Sequence, residues 1–129
     1  MKEVMLQVYL LYFDTESTKY KADILILNGD NKKLDDEINR VLQSTGYEFY
    51  DYSDEITILV DDQGMFKYGN PVFEVISDYG DTTQLAGRLI FARNIENDFS
   101  MDIGSLTSND IFHLRQNLKI KLLGLTRGV

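Results

Sequence analysis

Val4-Met5-Leu6-Gln7-Val8-Tyr9-Leu10-Leu11-Tyr12-Phe13 is almost wholly apolar and rich in β-branched and aromatic side chains. A strand with one wet face alternates apolar and polar residues, and this stretch does not. It predicts a strand inside a sheet, covered on both faces. The polar run Asp14-Thr15-Glu16-Ser17-Thr18 follows, and residues 19–27 read as a second strand that ends at Asn28-Gly29-Asp30-Asn31. A hairpin is the simplest connection between the two.

Beyond the hairpin the period changes. Leu34, Ile38, Val41 and Leu42 fall at i, i+4, i+7 and i+8, one apolar helical stripe. Asp30 or Asn31 is a candidate N-cap, Asp35, Asp36 and Glu37 suit the positive end of the helix dipole, and Gly46 is a candidate stop. Residues 47–52 and 55–61 then predict a β-hairpin. Ile56, Ile58 and Val60 share one face of its second strand, and Glu55, Thr57, Leu59 and Asp61 share the other. A turn at Asp62-Gln63-Gly64, a return strand over 65–68, a break at Gly69-Asn70-Pro71 and a short strand over 72–77 follow. Residues 85–92 predict one further apolar strand with Gly87 inside it, and 94–104 a polar connection. Thr107 and Asp110 have capping-box spacing at the head of a last helix striped by Ile111, Leu114 and Leu118.

The expected fold is therefore a single α+β domain over 1–129, a mostly antiparallel sheet of six to seven strands with two helices. Residues 1–28 form its N-terminal strand pair.

Composition narrows the function. The chain has 129 residues, 43% of them hydrophobic, one proline and a net charge of −8, which suits a packed acidic globule. That charge disfavours direct contact with nucleic acid or an anionic membrane, since phosphates would be repelled. The absence of cysteine excludes disulfides, zinc thiolates and thiol catalysis. No segment has the pattern of a signal peptide or the ~20 apolar residues of a membrane span, so a cytoplasmic protein is expected.

No catalytic constellation stands out. His113 is the single histidine and has no nucleophile or acid beside it in sequence, so a structural role is the simpler reading. The glycines match neither the P-loop nor the dinucleotide pattern. Asp61-Asp62, with Asp51, Asp54 and Glu55 near, offers hard oxygen ligands, but turns favour Asp for its backbone bonds and the EF-hand spacing is missing. No metal and no cofactor is expected.

The charge distribution is the strongest functional signal. Between Val41 and Phe66 stand six carboxylates (Glu48, Asp51, Asp54, Glu55, Asp61 and Asp62) without a single lysine or arginine. Same-face side chains on one strand recur every ~6.7 Å, whereas a DNA strand carries a charge every ~3.4 Å. Two adjacent strands and their turns approach that density, which is the physical case for a DNA mimic. Tyr50 and Tyr52 would supply aromatic anchors at the centre of such a surface. After Asp110, by contrast, no acid follows while Arg115, Lys119, Lys121 and Arg127 do. That polarity marks the solvent face of the last helix, and it is compatible with self-association into a homodimer.

Over residues 29–120, and with some likeness from Ile24, the chain resembles a family of small uncharacterised phage and mobile-element proteins of Gram-positive bacteria, a domain of unknown function. The carrying stretches are Leu34-Asp35-Asp36-Glu37-Ile38 with Gly46-Tyr47-Glu48-Phe49, and Ile58-Leu59-Val60-Asp61-Asp62-Gln63-Gly64. Leu85-Ala86-Gly87-Arg88-Leu89-Ile90-Phe91-Ala92, followed by Ser105-Leu106-Thr107-Ser108-Asn109-Asp110, completes the set. The chain departs from the family at Gly69-Asn70-Pro71-Val72, where a Pro-x-Asn-Arg stretch is usual, and at Arg88, where threonine is common. The resemblance implies an accessory protein acting in the host cytoplasm.

Together these signals lead to an expected non-enzymatic inhibitor of a host defence system of the CRISPR or restriction type. Its partner would be a basic nuclease or effector, bound through Glu48, Tyr50, Asp51, Tyr52, Asp54, Glu55, Asp61 and Asp62. The alternative is a small-molecule binding or sequestering module of phage origin, oligomeric or not. Its pocket would lie near Gly87, with Arg88, the one cation in an apolar run, holding an anion.

Overall fold

The structure, a computed structural model, describes residues 5–30, 33–96 and 101–127. Nine strands and two helices follow in the order β1 (Met5–Asp14), β2 (Lys19–Asn28), α1 (Leu34–Leu42), β3 (Tyr47–Asp51), β4 (Ile56–Asp61), β5 (Tyr68–Ile76), β6 (Thr82–Ala86), β7 (Leu89–Glu96), β8 (Met101–Gly104), α2 (Ser108–Asn117) and β9 (Lys119–Arg127). A larger sheet runs β2-β1-β7-β4-β3, with β8 paired to the far end of β7, and a smaller one runs β6-β5-β9. Every pairing is antiparallel. The α+β class and antiparallel sheet agree with the sequence.

Period-2 alternation divides the larger sheet between two cores. Tyr9, Leu11, Ile56, Ile58, Val60, Leu89 and Phe91 face one way, onto Phe73, Val75 and Leu85 of the smaller sheet and Ile111 and Leu114 of α2. Leu6, Val8, Leu10, Leu59, Ile90 and Ala92 face the other way, onto Ile38, Val41 and Leu42 of α1. The sheet is thus sandwiched, and this is why β1, β4 and β7 are apolar at successive positions. Burial of the wholly enclosed leucines and isoleucines is worth about 1.5–3 kcal/mol each against exposure. Among the described residues no helix is long and apolar enough to cross a membrane.

Several local expectations change. The run 85–92 is two strands in different sheets, joined at Gly87, whose φ of +103° turns the chain across. Residues 65–68 are not a return strand: one turn of 3₁₀ helix at Gly64–Phe66 leads into β5. That strand runs through Gly69-Asn70-Pro71, where the pairing with β9 is irregular and pairing with β6 has not begun, so the missing N–H of Pro71 breaks no ladder to β6. The 94–104 connection holds the end of β7 and the whole of β8, and 97–100 lie outside the described residues. Asn31 and Val4 also lie outside them.

α1 starts without a side-chain cap, at Lys33, whose N–H donates to the Asp30 carbonyl at 2.8 Å. It stops at Gln43, which is left-handed (φ 57°), three residues before Gly46. The basic C-terminal residues are not one helix face. Arg115 is on α2, while Lys119, Lys121 and Arg127 are on β9. The capping box of α2 forms as its spacing predicts, with Asp110 N–H donating to the Thr107 hydroxyl at 3.1 Å and Thr107 N–H to the Asp110 carboxylate at 2.9 Å.

Candidate functional site: an acidic end built from two turns

β3 is an edge strand, and its register with β4 sorts the acidic segment. Glu48 and Tyr50 stand opposite Val60 and Ile58, on the face toward the smaller sheet, while Phe49 and Asp51 stand opposite Leu59 and Thr57, on the α1 face. The six carboxylates therefore do not share one face. They divide between the two ends of the hairpin and both sides of the sheet.

At the β3–β4 turn, Ser53 Oγ accepts from the N–H groups of Glu55 (3.2 Å) and Ile56 (3.0 Å), fixing a tight loop that leaves Asp54 and Glu55 exposed. A second turn, between β5 and β6, is tied to it: Asp78 N–H donates to the Tyr52 carbonyl at 2.8 Å. Ser77 Oγ organises this second turn by accepting from Tyr79 and Asp81 N–H, each at 3.2 Å. Asp51, Asp54, Glu55, Asp78 and Asp81 are thereby gathered, all exposed, at one end of the molecule. Tyr79, 53% exposed, donates its hydroxyl to Asp54 Oδ1 at 2.5 Å. That bond, which ionisation would destroy, pushes the Tyr79 phenol up to about 12. Asp51, Ser53, Asp54, Tyr79 and Asn94 enclose a cavity of about 420 Å³, and the Asn94 Oδ1 is buried without a partner among the described residues. Arg93 is engaged, its Nη1 at 2.8 Å from Asp110 Oδ2, and Lys119 lines a cavity together with Asp78 and Gly80.

Two residues of the expected binding set are corrected. Tyr52 is wholly buried, its ring edge-on to Phe91 and to His113, and so presents nothing to a partner. Burial first, and then the adjacent Asp78 carboxylate, push the Tyr52 hydroxyl up to about 12. Asp61 has only 3% of its side chain exposed. It accepts from Lys67 Nζ at 2.5 Å and from Gln63 N–H at 2.9 Å. The cation that neutralises it stands one residue beyond the acid-only stretch, so sequence proximity concealed the pair. Tyr50 is half-buried, its hydroxyl on Glu48 at 2.9 Å. Asp62 is half-buried against Gly46, where a Cβ would lie 2.8 Å from its Oδ2. A Cβ at Gly46 would displace only the end of the Asp62 side chain, and α1 has already ended at Gln43.

Sequence reading also missed the partner of His113. Asp78 lies 35 positions away, yet its Oδ2 is 2.8 Å from His113 Nε2, and Asn117 Nδ2 is 3.2 Å from Nδ1. No nucleophile is hydrogen-bonded to this pair among the described residues. No group of three potential metal-ligating acids or histidines stands together among them either.

Arg88 lines a cavity of about 490 Å³ together with Tyr12, Phe13, Lys67, Tyr68 and Asn70. Its Nη1 donates to the Val41 carbonyl at 3.0 Å, at the negative end of α1. The cation inside the apolar run, in the link between β6 and β7, thus has a structural task at the end of α1. No known family model, no curated protein and no solved structure matches this chain.

Proposed function

We propose that this chain is a non-enzymatic binding protein whose acidic end occupies a basic surface of a nucleic-acid-handling protein. The observation that carries the reading is the Asp78–Tyr52 backbone tie. It supports a cluster that no single stretch of sequence contains: Asp51, Asp54 and Glu55 from one turn, Asp78 and Asp81 from the next, with Tyr79 exposed among them. A predominantly acidic patch with an aromatic at its middle has the composition of a charge-steered interface. Tyr79 takes the anchoring role that sequence gave to Tyr52. Restriction and CRISPR effectors present basic channels of the complementary sign. The choice of such a defence effector as target rests on the resemblance to phage proteins.

Capture from bacterial lysate tests this. The chain should retain one basic nuclease or effector at low salt and release it at ~0.5 M salt, where the Debye length is a few ångströms. Asp51→Lys with Glu55→Lys and Asp81→Lys should abolish retention, while Asp35→Lys with Asp36→Lys on α1 should not. Equal retention by both variants would end the proposal.

A further inference from the structure

Strand edges carry unpaired N–H and C=O groups, and the pairing partners of two edges here are missing on one side. β3 pairs only with β4, and β9 only with β5, among the described residues. The two edges carry opposite charge. β3 brings Glu48 and Asp51 with no cation, beside Asp54 and Glu55. β9 brings Lys119, Lys121 and Arg127 with no acid. Of the remaining open edges, β2 mixes Lys19 and Lys21 with Asp23, β6 is uncharged, and the four-residue β8 carries the single acid Asp102.

We propose that the chain self-associates head to tail, the acidic β3 edge of one copy pairing with the basic β9 edge of the next. Charged edges ordinarily prevent sheets from joining, and here they do so for like edges: β3 with β3, or β9 with β9, sets equal charges side by side. The same charges favour β3 with β9. In an antiparallel register that sets Asp51 opposite Lys119, one ion pair forms across the seam and Glu48 stands opposite Leu122. That register also sets Tyr50 opposite Ile120 and Phe49, 37% exposed, opposite Lys121. Within its own sheet Lys121 stands opposite Glu74, without an ion pair between them. Lys119 stands opposite the apolar Ile76. The contact joins two different patches, so it propagates into a ring or an open filament and does not stop at a two-fold dimer. A five-residue edge predicts weak, concentration-dependent assembly.

Sedimentation velocity on the purified chain tests the proposal and is independent of any host partner, so its outcome leaves the acidic-end reading standing or falling on its own experiment. At low salt the mean mass should climb above the 14.9 kDa of one chain as concentration rises toward about 1 mM. It should return to one chain at ~0.5 M salt. Glu48→Lys with Asp51→Lys makes both edges basic, and Lys119→Glu with Lys121→Glu makes both acidic. Each variant, its fold checked by circular dichroism, should remain a monomer, and an equimolar mixture of the two should assemble again. A wild-type chain that stays monomeric overturns the proposal. So does a single variant that assembles like the wild type, or a mixture of folded variants that does not recover.

Discussion

Asp110 shows how one carboxylate can serve two neighbours at once. It is buried, and burial alone would raise its pKa. The N–H and hydroxyl of Thr107 and the Arg93 guanidinium more than offset this and hold it below the usual carboxylate range. A carboxyl with a lowered folded pKa stabilises the fold fully above its unfolded pKa of about 3.9, and that stability is lost as pH falls through the folded value. Asp110→Ala removes half the capping box and leaves Arg93 without its acid, and should cost about 2 kcal/mol in urea unfolding at pH 7. As pH falls below the unfolded value of about 3.9 and through the lowered folded value, the difference from wild type should shrink, because the wild-type carboxylate is then losing its charge. A gap unchanged across that range would mean the charge contributes nothing. The capping box was legible because its signal is local, two residues three apart. The Asp78–His113 and Asp61–Lys67 pairs were not, since folding alone brings their members together.

Elements followed the same division. β1 was legible as an unbroken apolar run, and α1 because one apolar period holds over its whole length. The run 85–92 misled because the end of β6 (Leu85, Ala86) and the start of β7 (residues 89–92) are both deeply buried, so hydrophobicity is continuous across a change of sheet. Its only mark is the glycine. Gly87 has φ +103°, a conformation that side chains with a Cβ rarely adopt, and its N–H donates to the Pro71 carbonyl at 2.8 Å. Gly87→Ala meets no close contact, the nearest atom to a new Cβ being Asn70 Nδ2 at 3.9 Å. The cost is therefore backbone strain of about 1–3 kcal/mol, measurable as a lower urea midpoint at unchanged slope. An unchanged midpoint would show that the crossing tolerates a Cβ. β9 was missed for a different reason: it follows α2 at once, and Leu118 fits the helical stripe. The shift from period 3.6 to period 2 was nonetheless written in Lys119-Ile120-Lys121-Leu122, with Ile120 and Leu122 turned inward.

At the scale of the whole molecule, the placement of charge decides how salt acts. The net charge of −8 is concentrated by the fold, which sets Asp51, Asp54, Glu55, Asp78 and Asp81 at one end with Arg93 committed to Asp110. The unfolded chain separates the two turns, so the repulsion between Asp51, Asp54 and Glu55 on one side and Asp78 and Asp81 on the other weighs on the native state. Salt should therefore raise folding stability, because the Debye length falls from ~30 Å at 0.01 M to ~10 Å at 0.1 M and the repulsion is screened. Salt should weaken edge pairing and partner capture over the same range, since both are attractions between opposite charges. Glu55→Gln with Asp81→Asn relieves the repulsion without disturbing the Tyr79–Asp54 or Asp78–His113 bonds. It should stabilise the chain by about 0.5 kcal/mol at ~0.01 M salt, the upper range for surface changes. Thermal unfolding should show that gain vanishing by ~0.3 M. A gain that persists at high salt would have to come from something other than charge, and no gain at low salt would mean that the five carboxylates stand too far apart to form one surface.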